Sequence, residues 1–153
     1  MRRFEFIQIL PISMEEAWSF FSNPTNLGKI TPPEMNFRII GNLPQKVYEG
    51  MFIVYKVSPL AGIPMQWVTE ITHVREPHFF IDEQRKGPYS IWHHEHHFEQ
   101  VPEGIKMTDI LYYSVPFGWL GKLVDMLLVK RKVLDIFTFR KQVLLKLYNQ
   151  LVT

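Results

Sequence analysis

Hydrophobic and polar positions along the chain fall into three regimes. From Arg2 to Leu10 they alternate, with Phe4, Phe6 and Gln8 on one side and Glu5, Ile7 and Ile9 on the other. This predicts a strand with apolar residues on both faces. Ser13 followed by Glu16 has capping-box spacing, and Met14, Ala17, Trp18 and Phe21 then recur at helical intervals. A short amphipathic helix is expected there. Asn23-Pro24 reads as the cap and first position of a second short helix running toward Lys29, which Thr31-Pro32-Pro33 ends.

From Met35 to Val115 the pattern changes to β-rich runs broken by turn residues, with strands expected near 35–41, 47–57, 65–75, 78–85, 89–101 and 105–115. The breaks are Gly41 to Pro44, Pro59 to Pro64, Glu76-Pro77, Lys86-Gly87-Pro88 and Pro102-Glu103-Gly104. Links this short favour antiparallel neighbours. After Pro116-Phe117-Gly118 the third regime begins. Leu120, Leu123, Val124, Leu127 and Leu128 lead into Val133, Ile136, Phe137, Val143, Leu144 and Leu147 on one broad stripe, which predicts a long helix. The expected class is α+β: one strand, two short helices, six strands and a long C-terminal helix.

The length of 153 residues and an apolar fraction of 46% suit a single domain over 1–153 with a substantial core. A net charge of only +2 gives little drive toward nucleic acid, and none is expected as a partner. The charge is uneven, however. Residues 116–153 hold seven Lys or Arg against Asp125 and Asp135, leaving the remainder at −3. That basic segment reads chiefly as a solvated helix face, with transient contact to a membrane or acidic partner as the alternative. The absence of Cys removes disulfides, thiolate metal sites and a cysteine nucleophile. No run has the character of a secretory signal or reaches membrane-spanning length, so a cytoplasmic protein is expected, without stable membrane insertion.

The element order, together with FFSNPTNLGKITPPEMNF (20–37), PLAGIPMQWVTEIT (59–72), FIDEQRKGPYSIWHHEHHF (80–98), MTDILYY (107–113) and VPFGWLGKL (115–123), resembles the START-like or SRPBCC superfamily. The likeness covers nearly the whole chain. It implies a helix-grip fold, in which a curved antiparallel sheet of about seven strands wraps a long C-terminal helix. It also implies a cavity between them. A twisted sheet curls, and a helix across its concave side leaves space unless large side chains fill it.

The most unusual stretch is Trp92 to Phe98, with four histidines in seven residues. Strand alternation puts Trp92, His94, His96 and Phe98 on one face and His93, Glu95 and His97 on the other. The first set is expected to face the cavity, its imidazoles exchanging hydrogen bonds with a ligand or merely with neighbours. Which acidic and basic residues join it depends on register. One turn at Gly87-Pro88 brings Asp82 and Gln84 to the His94 side; another brings Glu83 and Arg85. At Pro102-Glu103-Gly104, one loop places Thr108, Ile110 and Tyr112 beside the histidines; the other places Met107, Asp109 and Leu111 there, pairing His96 with Asp109. The candidate ligand-binding residues are Tyr55, Trp67, Glu83, Arg85, Trp92, His94, His96, Phe98, Asp109, Tyr112, Leu123, Leu127 and Phe137. Core packing competes with ligand contact for each aromatic.

Two histidines at i and i+2 also suit a metal, but no secure third ligand is legible, so neither a metal nor another cofactor is expected. No phosphate loop, dinucleotide fingerprint or nucleophile elbow is present. The expected function is noncatalytic binding or carriage of a small lipophilic molecule, such as a lipid, quinone or polyketide. The alternative is a cyclase, dehydratase or hydrolase using His94, His96 or Asp109 as acid and base, as resemblance to polyketide cyclases allows.

Overall fold

The computed structural model describes residues 1–59 and 62–149. Strand β1 (Arg2–Leu10) is followed by helix α1 (Met14–Phe21) and by 3-10 segments at Pro24–Ile30 and Pro33–Met35. Strands β2 (Arg38–Ile39), β3 (Met51–Val57), β4 (Met65–Arg75), β5 (Phe79–Lys86), β6 (Ile91–Val101) and β7 (Gly104–Ser114) come next. The described residues end on α2 (Gly118–Val124), a π segment (Asp125–Val129) and α3 (Lys130–Asn149). The fold is α+β, with seven antiparallel strands in the order β1-β7-β6-β5-β4-β3-β2.

Local chemistry sets several of these boundaries. Ser13 and Glu16 form the reciprocal capping box, satisfying donors at the first turn of α1. The expected strand over 35–41 shrinks to Arg38–Ile39, because Asn36 turns into the left-handed region and closes the preceding 3-10 turn. The expected strand from 47 starts only at Met51, after a positive φ at Gly50. At the corner into α2, Gly121 packs so closely beneath Pro116 that an added Cβ would lie 1.8 Å from the Pro116 carbonyl oxygen.

Alternation is cleanest on β7, where Ile105, Met107, Asp109, Leu111 and Tyr113 all point inward. Two apolar clusters share this concave side. One joins α1 to the sheet through Trp18, Phe80, Phe98, Met107 and Leu144. The other places Val129, Val133 and Phe137 of the helical segment over Leu111 and Tyr113. The long helix is interrupted where Asp125, in the π segment, accepts hydrogen bonds from Arg2 of β1 and, at 2.7 Å, from the Tyr113 hydroxyl. Such widened turns appear mostly as single interruptions inside α-helices. Here Asp125 ties the helix to two strands.

Candidate functional site

A pocket of about 130 Å³ opens on the concave side. Its walls come from α1 and the following 3-10 segment (Phe20, Leu27, Ile30), from the sheet (Ile53, Tyr55, Trp92), and from a single residue of α3, Arg140. Asp82, His94 and His96 form its polar end.

Register decides the membership of that end. Asp82 pairs with His94, and Glu83 with His93, so the even-numbered residues of β5 share the inner face. The turn is longer than either simple reading. Gln84 folds back onto it, donating to the Tyr89 carbonyl and accepting from the Tyr89 amide. At the next hairpin Val101 pairs with Gly104 and His96 with Asp109, which brings Asp109 in and sends Tyr112 out.

The result is a four-membered arrangement in which two tilted imidazoles, with centroids 3.9 Å apart, lie between two carboxylates. Asp82 Oδ2 is 3.5 Å from His94 Nδ1 and 2.8 Å from His96 Nε2. Asp109 Oδ1, behind them, is 3.1 Å from His94 Nε2 and 2.9 Å from His96 Nδ1. The last contact is off the line a hydrogen bond needs, and His96 Nδ1 has no well-directed partner. The Arg140 guanidinium lies over the Phe137 ring at 4.9 Å. Its nearest contact with Asp109 is 3.8 Å, and its buried Nε has no hydrogen-bond partner.

Burial would raise the pKa of Asp109, but the hydrogen bond from His94 and the close His96 imidazole outweigh it and hold the group far below the usual carboxylate range. Burial acts likewise on Asp82, and the two histidines and Arg140 again prevail. The imidazoles are pushed apart. Burial and the neighbouring His96 lower the pKa of His94. For His96, burial also lowers the pKa, but the close Asp109 carboxylate and the hydrogen bond to Asp82 more than compensate and raise it.

The candidate residues divide accordingly. Tyr55, Trp92, His94 and His96 line the pocket, and Asp109 stands behind it. Trp67 stacks on Tyr55 and meets Trp92 edge-on, one layer back. Phe137 packs between Phe6 and His94. Phe98 belongs to the apolar cluster with Trp18, Phe21 and Phe80, packed against two residues of the pocket lining rather than part of it. Glu83, Arg85 and Tyr112 require correction: all three lie on the convex face. There Arg85 bridges Glu70 and Glu83, Glu83 meets His93, and Glu95 links His93 to His97. Leu123 and Leu127 also require correction, since both are exposed because the helix around them turns its apolar stripe outward. Sequence reasoning assigned Arg140 only to a basic helix surface. Its position between Phe137 and Val143 on the apolar stripe was the available signal.

Neither a family model nor a curated protein matches the chain. Solved structures do. A protein from Arthrobacter aurescens superposes with a TM-score of 0.69 at 12% identity, over 94% of this chain and 86% of that one. The major latex-like protein 151 of Panax ginseng gives 0.69 at 12% identity, over 96% and 97%. Protein Ms6760 from Mycobacterium smegmatis gives 0.64 at 16% identity, over 93% and 90%. These likenesses show the fold alone, a helix-grip arrangement of curved antiparallel sheet and long C-terminal helix.

Proposed function

We propose that the protein binds a small, mostly apolar molecule carrying an anionic or strongly accepting oxygen group. The observation that carries this reading is Arg140, a buried guanidinium in the wall of an apolar pocket, with an unpartnered Nε. Guanidinium donors favour carboxylate and phosphate oxygens through paired hydrogen bonds. The apolar part of the ligand would lie against Leu27, Ile30, Ile53 and Trp92. The volume argues for a compact ligand. An engineered cavity of about 150 Å³ holds one benzene, so a pocket of this size suits a single ring or a short chain. A long lipid or polyketide would require the walls to move.

Tryptophan fluorescence titrations with benzoate and octanoate test this, because Trp92 lines the pocket. Benzoate is expected to quench the signal saturably in the parent protein and not in Arg140→Leu. Equal quenching in both would refute the role given to Arg140. Acid–base catalysis gains no separate support, because all four imidazole nitrogens lie within 3.5 Å of a carboxylate.

A second observation supports transient membrane contact as the route to a lipophilic ligand. Phe117, Trp119, Met126, Leu127 and Leu128 are all more than half exposed. Lys122 and the run Lys130-Arg131-Lys132 flank them, also exposed. An apolar face edged by cations complements an anionic lipid surface. No helix among the described residues is long and apolar enough to cross a membrane. Cosedimentation with phosphatidylglycerol vesicles, lost on Trp119→Ser with Leu127→Ser, is the expected result. Failure to bind, or equal binding to neutral vesicles, would refute it.

A further inference from the structure

The expectation of no metal rested on the lack of a third ligand, and register supplies one. We propose that Asp82, His94 and His96 form a binding site for a first-row transition-metal dication, open toward the pocket and backed by Asp109. One ligand atom from each of the three residues lies within 4.8 Å of the others. A dication held about 2.0–2.1 Å from its donors separates them by about 2.9 Å at right angles and about 3.4 Å at tetrahedral angles. The distances from Asp82 Oδ2, 2.8 Å to His96 Nε2 and 3.5 Å to His94 Nδ1, bracket those values. Two of the three donor separations thus already suit a shared ion.

Asp109 occupies the position that metal chemistry asks of a supporting carboxylate. The ring nitrogens turned away from Asp82, His94 Nε2 and His96 Nδ1, both lie near Asp109 Oδ1. A ligating imidazole commonly donates its other N–H to a carboxylate, which fixes its tautomer and orientation. Two imidazoles and one carboxylate on one side of an ion leave the opposite positions open, and here those positions face the pocket. Imidazole and carboxylate donors without thiolate suit zinc, iron or cobalt better than calcium or magnesium.

Charge gives a further reason, which alone rests on the pocket reading above. A dication held by neutral imidazoles, together with the two carboxylates and Arg140, leaves the pole with one excess positive charge, which a carboxylate-bearing ligand would balance. The same carboxylate would meet the Arg140 guanidinium.

The test uses the full chain, stripped with chelator and titrated with Co2+, whose visible d–d absorption reports nitrogen and oxygen ligation directly. One Co2+ per chain is expected, with the band lost in Asp82→Asn and His94→Gln. The double variant His93→Ala, His97→Ala should retain it, since those rings belong to the convex chain of ion pairs. Asp109→Asn should weaken uptake by about 10–100-fold, as loss of a supporting carboxylate does. Should the pocket variants not fold, proton NMR of the parent protein decides the location. Bound Co2+ should shift the ring signals of Phe80, Trp92 and Phe137, which surround the two histidines, more than those of Tyr112. No stoichiometric uptake would overturn the proposal. So would uptake that survives the pocket variants, or shifts centred on the convex face. Benzoate binding without metal uptake would leave the pocket reading standing, and metal uptake without benzoate binding would do the reverse.

Discussion

Replacing Asp109 with Asn removes one charge while keeping the side-chain shape, and its cost follows from what the carboxylate touches. Asp109 is 5% exposed and lies within 3.1 Å of one nitrogen from each buried histidine, with Arg140 at 3.8 Å. Without it, Asp82 alone faces two imidazoles and a guanidinium. Removing one member of a buried ion pair typically costs about 3–5 kcal/mol, because the remaining charges stay buried and uncompensated. In a chain of 153 residues, each kcal/mol lowers Tm by about 2–4 °C. The expected fall is therefore about 6–20 °C. Thermal unfolding followed by far-UV circular dichroism, with chelator present so that metal loss does not contribute, measures it. Glu83→Gln provides the comparison. It removes a carboxylate from ion pairs on the convex face, where solvent screens the charges, and should cost about 1 kcal/mol or less. If Asp109→Asn melts within about 2 °C of the parent, the buried charges do not depend on one another and the electrostatic account fails.

Three further outcomes can be checked. Arg140→Leu should lower Tm by less than Asp109→Asn does while abolishing benzoate quenching, because the guanidinium stands 3.8 Å from Asp109 and its Nε has no partner in the ligand-free protein; a larger loss of stability would show it is chiefly structural. Gly121→Ala should destabilise by about 1–3 kcal/mol by denaturant unfolding, although Ala is the better helix former, because the new methyl meets the Pro116 carbonyl; a gain in stability would refute the close packing at this corner. Burial, joined at Tyr113 by its bond to Asp125, raises the phenol pKa values of Tyr55, Tyr89 and Tyr113 well above the usual range. The stability they contribute is therefore complete below about pH 10 and lost above it, at about 1.4 kcal/mol per pH unit for each phenol. Alkaline unfolding should be steep, with phenolate absorption at these positions appearing only as the fold is lost; phenolate formation at all six tyrosines of the intact protein would refute this.

The sequence by itself determined the class and order of elements. Those follow from periodicities of two and of 3.6 and from capping and turn residues, all of which act within a few positions of the chain. Ser13 with Glu16 capped a helix because both partners lie in one turn, and His94 shared a face with His96 because a strand alternates regardless of its neighbours. The strand that the sequence pattern extended from 35 to 41 shrank for a related reason: local propensity does not guarantee a pairing partner. Only the tertiary structure decided which residues meet His94 and His96, because a register change of one residue exchanges every side chain between the two faces. The hairpins at Gly87-Pro88 and Pro102-Glu103 fixed that choice, bringing Asp82 and Asp109 inward and sending Glu83, Arg85 and Tyr112 outward. The helix facing was likewise a three-dimensional matter. A stripe spanning 120–147 is too long to be covered throughout by one curved sheet, so Leu123 and Leu127 face outward while Phe137 and Leu144 are buried. Arg140 gained its role in the same way: a cation on an apolar stripe becomes a pocket residue only when the helix is laid across the sheet, and that packing is not written in any local pattern.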